Sequence, residues 1–146
     1  AFMILTGIET LPLRMQKHCE NAKAVAEFLS THPAVASVNY AGLETDKYYR
    51  LARKYAPKGA GAVFTFSLKG GYDAGVSLVS NLKLFSHLAN VGDTRSLIIH
   101  PASTTHRQLS DAQKTQAGAG ADVVRLSIGI EDKDDIIADL EQALSA

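Results

Sequence analysis

Val-Val-Arg-Leu-Ser-Ile-Gly-Ile-Glu-Asp, residues Val123 to Asp132, decides how this chain folds. Val124, Leu126 and Ile128 alternate with Val123, Arg125 and Ser127, the period of two that gives a strand two faces. One face is wholly apolar and the other carries a guanidinium. Gly129 breaks the run and a helix follows: Asp132 suits an N-cap, and Asp134 and Asp135 favour the helix dipole in the first turn. Ile136, Ile137, Leu140 and Leu144 then form its buried stripe. Arg125 poses the chemical question. A fixed charge amid apolar neighbours is costly to bury without an anion, and its planar fork suits a carboxylate held bidentately. An Asp or Glu elsewhere in the fold and a bound carboxylate both satisfy it.

Working outward, Ala1 to Ile8 is apolar around Gly7 and reads as the interior of something larger, so the chain is expected to be a fragment. Thr10-Leu11-Pro12 offers an N-cap with Pro in the first turn, and the spacing of Cys19, Ala22, Val25, Ala26 and Leu29 predicts a helix from Leu11 to Thr31. Its polar residues Arg14, Lys17, His18, Glu20, Asn21 and Lys23 read as a solvated face or one packed on a missing segment. Val35 to Tyr40 is a short strand. A helix runs from about Thr45 to before Pro57, and Ala62 to Leu68 is the cleanest alternating strand. Gly75, Leu78, Val79 and Leu82 give the next helix its seam, and Leu84 to Ser86 is extended. Asn90 to Ser96 is a polar loop feeding a strand over Leu97 to Ile99. One short helix near Leu109 to Lys114 interrupts otherwise mobile chain before the final strand.

Helices alternating with four or five strands predict an α/β (α+β) two-layer sandwich, its sheet covered by helices on one face. Arg125 belongs on a central or near-central strand, facing away from the helices that begin near Leu11 and Asp132. At 146 residues, 46% hydrophobic and 21% charged, the chain suits one domain burying roughly 70% of its unfolded surface. Fifteen basic and fifteen acidic side chains cancel, so no nucleic-acid or anionic-membrane partner is expected. The lone Cys19 excludes an internal disulfide, and no apolar run approaches a membrane span, which points to the cytoplasm.

Familiar catalytic patterns fail on inspection. Ser103, Thr104, Thr105 and His106 are sequence neighbours, whereas nucleophile and base normally come from distant positions, so no catalytic residue is assigned. Five scattered His and one Cys have no metal-ligand spacing. Gly59 to Val63 precedes a strand instead of linking strand to helix, and so fails as a dinucleotide fingerprint.

Four stretches carry a resemblance across essentially the whole chain: Gly7 to Ala22, Gly61 to Gly71, His-Pro-Ala-Ser-Thr-Thr-His at His100 to His106, and Arg-Leu-Ser-Ile-Gly-Ile-Glu-Asp at Arg125 to Asp132. In order and spacing they resemble the C-terminal part of the Cys/Met-metabolism family of pyridoxal-phosphate enzymes. Asn90-Val91-Gly92-Asp93 stands where lyases and synthases of the family have Ser-Leu-Gly-Gly, which favours its sulfhydrylase branch.

The resemblance implies the small C-terminal domain of a fold-type-I enzyme over residues 1 to 146, with residues 1 to 10 a remnant of the connection to a missing cofactor domain. It implies that Arg125 holds the α-carboxylate of an amino-acid substrate, that Asn90 and Val91 add polar contacts, and that Thr105 lines the same pocket. The implied reaction replaces the γ-acetoxy group of O-acetylhomoserine by sulfide or a thiol. Pyridoxal 5'-phosphate is expected on the missing domain and not on this chain, since no lysine here has the family's Schiff-base context. The rest of the polypeptide and further copies, typically in a homotetramer, are the implied protein partners. A non-enzymatic amino-acid-binding regulatory module is the alternative.

Overall fold

The computed structural model describes residues 1–146, and five strands in it form one mixed sheet: β1 (Val35–Asn39), β2 (Val63–Leu68), β3 (Ser86–His87), β4 (Leu97–Ile99) and β5 (Val123–Ser127). Their order is β1-β2-β5-β4-β3, so β5 is central. It pairs antiparallel with both β2 and β4, whereas the edge strand β3 runs parallel to β4. The helices are α1 (Phe2–Glu9), α2 (Leu11–Thr31), α3 (Tyr49–Tyr55), α4 (Gly71–Asn81), α5 (Asp111–Gln116) and α6 (Lys133–Leu144).

Alternation along the strands decides which face is covered. Val124, Leu126 and Ile128 are fully buried, and they share one core with Phe64, Phe66 and Leu68 on β2. Ala22, Val25, Ala26 and Leu29 of α2, Leu78 of α4, and Ile136 and Leu140 of α6 complete it. Helices therefore pack on one side, giving the two layers expected. Arg125 is flanked in register by Thr65 on β2 and Ile99 on β4, and directly paired residues point to the same side of a sheet. The row Thr65, Arg125, Ile99 thus lies on the face turned away from α2, α4 and α6.

Several expectations are corrected. The stripe of α2 passes through His18 and Asn21, each 1% exposed, and not through Cys19, which is only partly buried. These two polar side chains are no solvated face: His18 Nδ1 donates to the Ile128 carbonyl at 2.6 Å, and Asn21 Nδ2 donates to the carbonyls of Gly129 and Glu131. Thr10 gives no side-chain cap. It joins α1 to α2 directly, and its hydroxyl accepts from Arg14 Nε instead. The stretch from Thr45 is turned, so α3 begins only at Tyr49, after the Asp46 side chain has accepted from the Tyr48 amide. The helix expected near Leu109 starts at Asp111, where Ser110 and Gln113 form a capping box. Asp132 caps α6 as expected, accepting from the Asp134 amide at 2.8 Å. None of the residues of α1 is buried: Phe2, Met3, Ile4, Leu5 and Ile8 all stand exposed. No helix is long and apolar enough to cross a membrane.

Candidate functional site

The guanidinium of Arg125 has no carboxylate partner in this chain. The ion pairs are Lys23 with Glu27, His32 with Glu141, Arg95 with Asp93, Lys114 with Asp111, and Lys133 with Asp134. An internal ion pair, one of the two readings open in the sequence, is therefore not formed. The single hydrogen bond of the fork runs from Arg125 Nη2 to the main-chain carbonyl of Asn90 at 3.3 Å. One nitrogen is oriented by a neutral acceptor, and the rest of a planar cationic fork remains available to an anion.

Asn90 reaches Arg125 because the chain between β3 and β4 loops over the face of the sheet that carries Arg125. The Asn90 side-chain oxygen accepts from the Val91 amide at 2.8 Å, and the Val91 side chain is exposed. Gly92 adopts a φ of 77°, the left-handed conformation that suits a residue without a Cβ. Asp93 then turns the chain back, accepting from the Arg95 amide at 3.0 Å and from Arg95 Nε at 3.2 Å. Those hydrogen bonds hold the Asp93 carboxyl below its ordinary value of 3.8.

Thr105 is not joined to this pair. Its hydroxyl is 2.8 Å from His106 Nδ1, and no hydrogen bond links it to Arg125 or Asn90. The turn that carries it is organised by His100, a buried imidazole whose Nε2 donates to the Ala121 carbonyl at 2.9 Å. In the neutral ring, Nδ1 is left to accept from the Ser103 hydroxyl, also at 2.9 Å.

Two carboxylates that no sequence pattern singled out hold the chain on entry to β3 and at the end of the Asn90 loop. Asp139 on α6, 8% exposed, accepts from the amides of Lys83, Leu84 and Phe85. Glu131 accepts from the Ser96 amide at 2.6 Å and from the Ser96 hydroxyl at 2.9 Å. Both pairings span more than thirty residues, beyond the reach of any local periodicity.

Clefts in this chain lie away from Arg125. One of about 220 Å³ between α2 and α3 is lined by Cys19, Lys23, Tyr40 and Arg53 among others. Burial and the nearby Cys19 push the Tyr40 phenol up to about 12, and its hydroxyl donates to the Gly61 carbonyl. No three His, Cys, Asp or Glu side chains are grouped to hold a metal. No lysine lies on a strand of the sheet, and Lys69 Nζ is used on the Pro33 carbonyl.

The five-stranded mixed sheet with its helical layer matches the small domain of a fold-type-I enzyme. The chain belongs to the family described as Cys/Met metabolism PLP-dependent enzyme, whose model matches residues 1–145. It is 53% identical to the O-acetyl-L-homoserine sulfhydrylase of Leptospira meyeri over 145 residues, covering 99% of this chain and 33% of that protein. It is 47% identical to an L-methionine gamma-lyase of Fusobacterium nucleatum over 144 residues, 99% of this chain and 36% of that protein. A crystal structure of an O-acetylhomoserine (thiol)-lyase from Campylobacter jejuni superposes with a TM-score of 0.90 at 45% identity, over 97% of this chain and 34% of that one. That structure carries a pyridoxyl-lysine at its position 205, outside the part matched here. The chain thus spans about a third of the length of the relatives it matches.

Proposed function

We propose that this chain is the substrate-carboxylate domain of an O-acetylhomoserine sulfhydrylase, a transferase of methionine biosynthesis that replaces the γ-acetoxy group by sulfide or a small thiol. The observation that carries the reading is the fork of Arg125, without a carboxylate partner in this chain and fixed at one nitrogen by the Asn90 carbonyl. Pyridoxal phosphate, held by the rest of the polypeptide, supplies the electron sink for the carbanion chemistry. The residues of this chain bind and orient. Arg125 takes the α-carboxylate, the Asn90–Val91 turn borders it with main-chain polar groups, and Thr105 closes the same pocket once the remaining polypeptide is in place. Holding the amino acid by its carboxylate fixes its reacting carbons relative to the cofactor, and such positioning removes several kcal/mol from a barrier, on the order of 7 where alignment is good.

The exposed apolar side chains of α1 support a second part of the proposal: residues 1 to 10 pack against the rest of the polypeptide, as the connection to the cofactor domain. A homotetrameric assembly and a cytoplasmic setting belong to the same reading, the latter supported by the free thiol of Cys19. No observation favours the stand-alone regulatory module.

The test is the reaction of the intact polypeptide. Purified with its cofactor, it should release acetate from O-acetyl-L-homoserine in step with the sulfide consumed, and give homocysteine. Negligible acetate release, with 2-oxobutyrate formed from methionine as the main activity, would instead assign it to the lyases.

A further inference from the structure

The loop that carries Asn90 and the strand that carries Arg125 belong to distant parts of the sequence, and what joins them is Glu131. β5 ends at Ser127, and the chain continues through Ile128, Gly129 and Ile130 to Glu131, so Glu131 lies just beyond the strand that carries Arg125. Its carboxylate grips the fully buried Ser96 twice, once at the amide and once at the hydroxyl. The same hydroxyl accepts from the Gly129 amide at 2.9 Å, and the Ile130 amide donates to the Thr94 carbonyl at 2.9 Å. Thr94 and Ser96 lie at the end of the loop that carries Asn90.

The stretch that grips is itself held from behind. His18 and Asn21 of α2 donate to the carbonyls of Ile128, Gly129 and Glu131. At Gly129 an added Cβ would collide with the Thr94 carbonyl oxygen and the Glu131 carboxylate, so the loop and the stretch touch with no room between them. The guanidinium and the carbonyl that orients it are thereby fixed in one frame.

We propose that Glu131 is a positioning residue for the carboxylate pocket: through Ser96 it sets where the Asn90 carbonyl meets Arg125, and so how well the fork selects a ligand bearing an α-carboxylate. The inference rests on the carboxylate reading of Arg125 and adds a residue that never touches the substrate. Its signature is selective. Loosening the latch weakens the preference for a carboxylate, whereas loss of general stability weakens binding of every ligand alike.

The experiment uses the intact enzyme with cofactor and two unreactive ligands, L-norleucine and pentylamine, which differ only in the carboxylate, with affinity followed by the change in cofactor absorbance. Glu131→Ala should lower the norleucine-to-pentylamine affinity ratio on the order of 10- to 100-fold, the penalty of an ångström-scale misplacement. Glu131→Gln keeps the shape and one acceptor, so it should lie between wild type and Glu131→Ala, and it serves if the alanine variant does not fold. Tyr40→Phe, which removes a hydrogen bond to the Gly61 carbonyl that involves none of Glu131, Ser96 and Asn90, should leave the ratio unchanged. A ratio unchanged in both Glu131 variants, while Arg125→Ala abolishes the preference, overturns the role of Glu131 and leaves the carboxylate reading standing. A ratio unchanged in Arg125→Ala overturns both.

Discussion

Arg125 Nη2 lies 3.3 Å from the carbonyl oxygen of Asn90, although the two residues are 35 positions apart in sequence. The contact arises because β4 and β5 are sheet neighbours and the loop entering β4 crosses the face that carries Arg125. A guanidinium held there by a neutral carbonyl keeps its full charge for a ligand.

Asp139 anchors the chain that enters β3. Its carboxylate meets three consecutive amides, from Lys83 to Phe85, and also the Gln142 side chain. Asp139→Ala leaves those amides without an acceptor and should destabilise the protein by about 1–3 kcal/mol, read as a lower urea midpoint at unchanged slope. An unchanged midpoint would show that the amides find other partners.

Gly75 lets α4 press on His100. A Cβ there would sit 2.6 Å from the His100 Cδ2, closer than real carbon atoms approach. Gly75→Ala should therefore destabilise by about 1–3 kcal/mol as an overpacked site. In a double-mutant cycle with His100→Ala, most of that penalty should vanish, since the smaller residue vacates the space. Additive effects would place the strain elsewhere.

The Asp93–Arg95 turn gives a pH dependence with a definite sign. Hydrogen bonds from Arg95 favour the ionised carboxyl, so the folded-state value lies below the ordinary 3.8. The stabilisation it brings is fully present above about pH 4 and is lost as the pH falls through the lowered folded value. A carboxyl-resolved NMR titration should give an Asp93 midpoint below 3.8, and Arg95→Ala should raise it towards that value. A wild-type midpoint at or above 3.8 would contradict the turn.

The layer architecture was legible because β5 and α6 state it locally: alternation at Val124, Leu126 and Ile128, then an Asp132 cap and a stripe from Ile136. The face of α2 was misread at its polar end. His18 and Asn21 continue the helical spacing of Ala22, Val25, Ala26 and Leu29, and attention to spacing over residue type would have placed them inside. The same bias hid Asp139, a charged residue one step from Leu140 in the buried stripe. At the site, Arg125 announced itself as a charge in an apolar strand, and Asn90 came only through family resemblance. Glu131 and Ser96 left no trace, because a contact between residues 35 apart depends on strand order, which periodicity does not encode.

The central claim is tested most directly at Arg125 in the intact enzyme. Arg125→Ala removes fork and charge, and Arg125→Lys keeps the charge without the bidentate geometry. Losing one partner of a buried charge pair costs roughly 2–5 kcal/mol, so kcat/KM of Arg125→Ala for O-acetyl-L-homoserine should fall roughly 30- to 5,000-fold, with Arg125→Lys between it and wild type. Cofactor content and thermal stability should stay near wild type, because Arg125 pairs with no carboxylate in this chain. A folded, cofactor-loaded Arg125→Ala with wild-type kcat/KM would contradict the account.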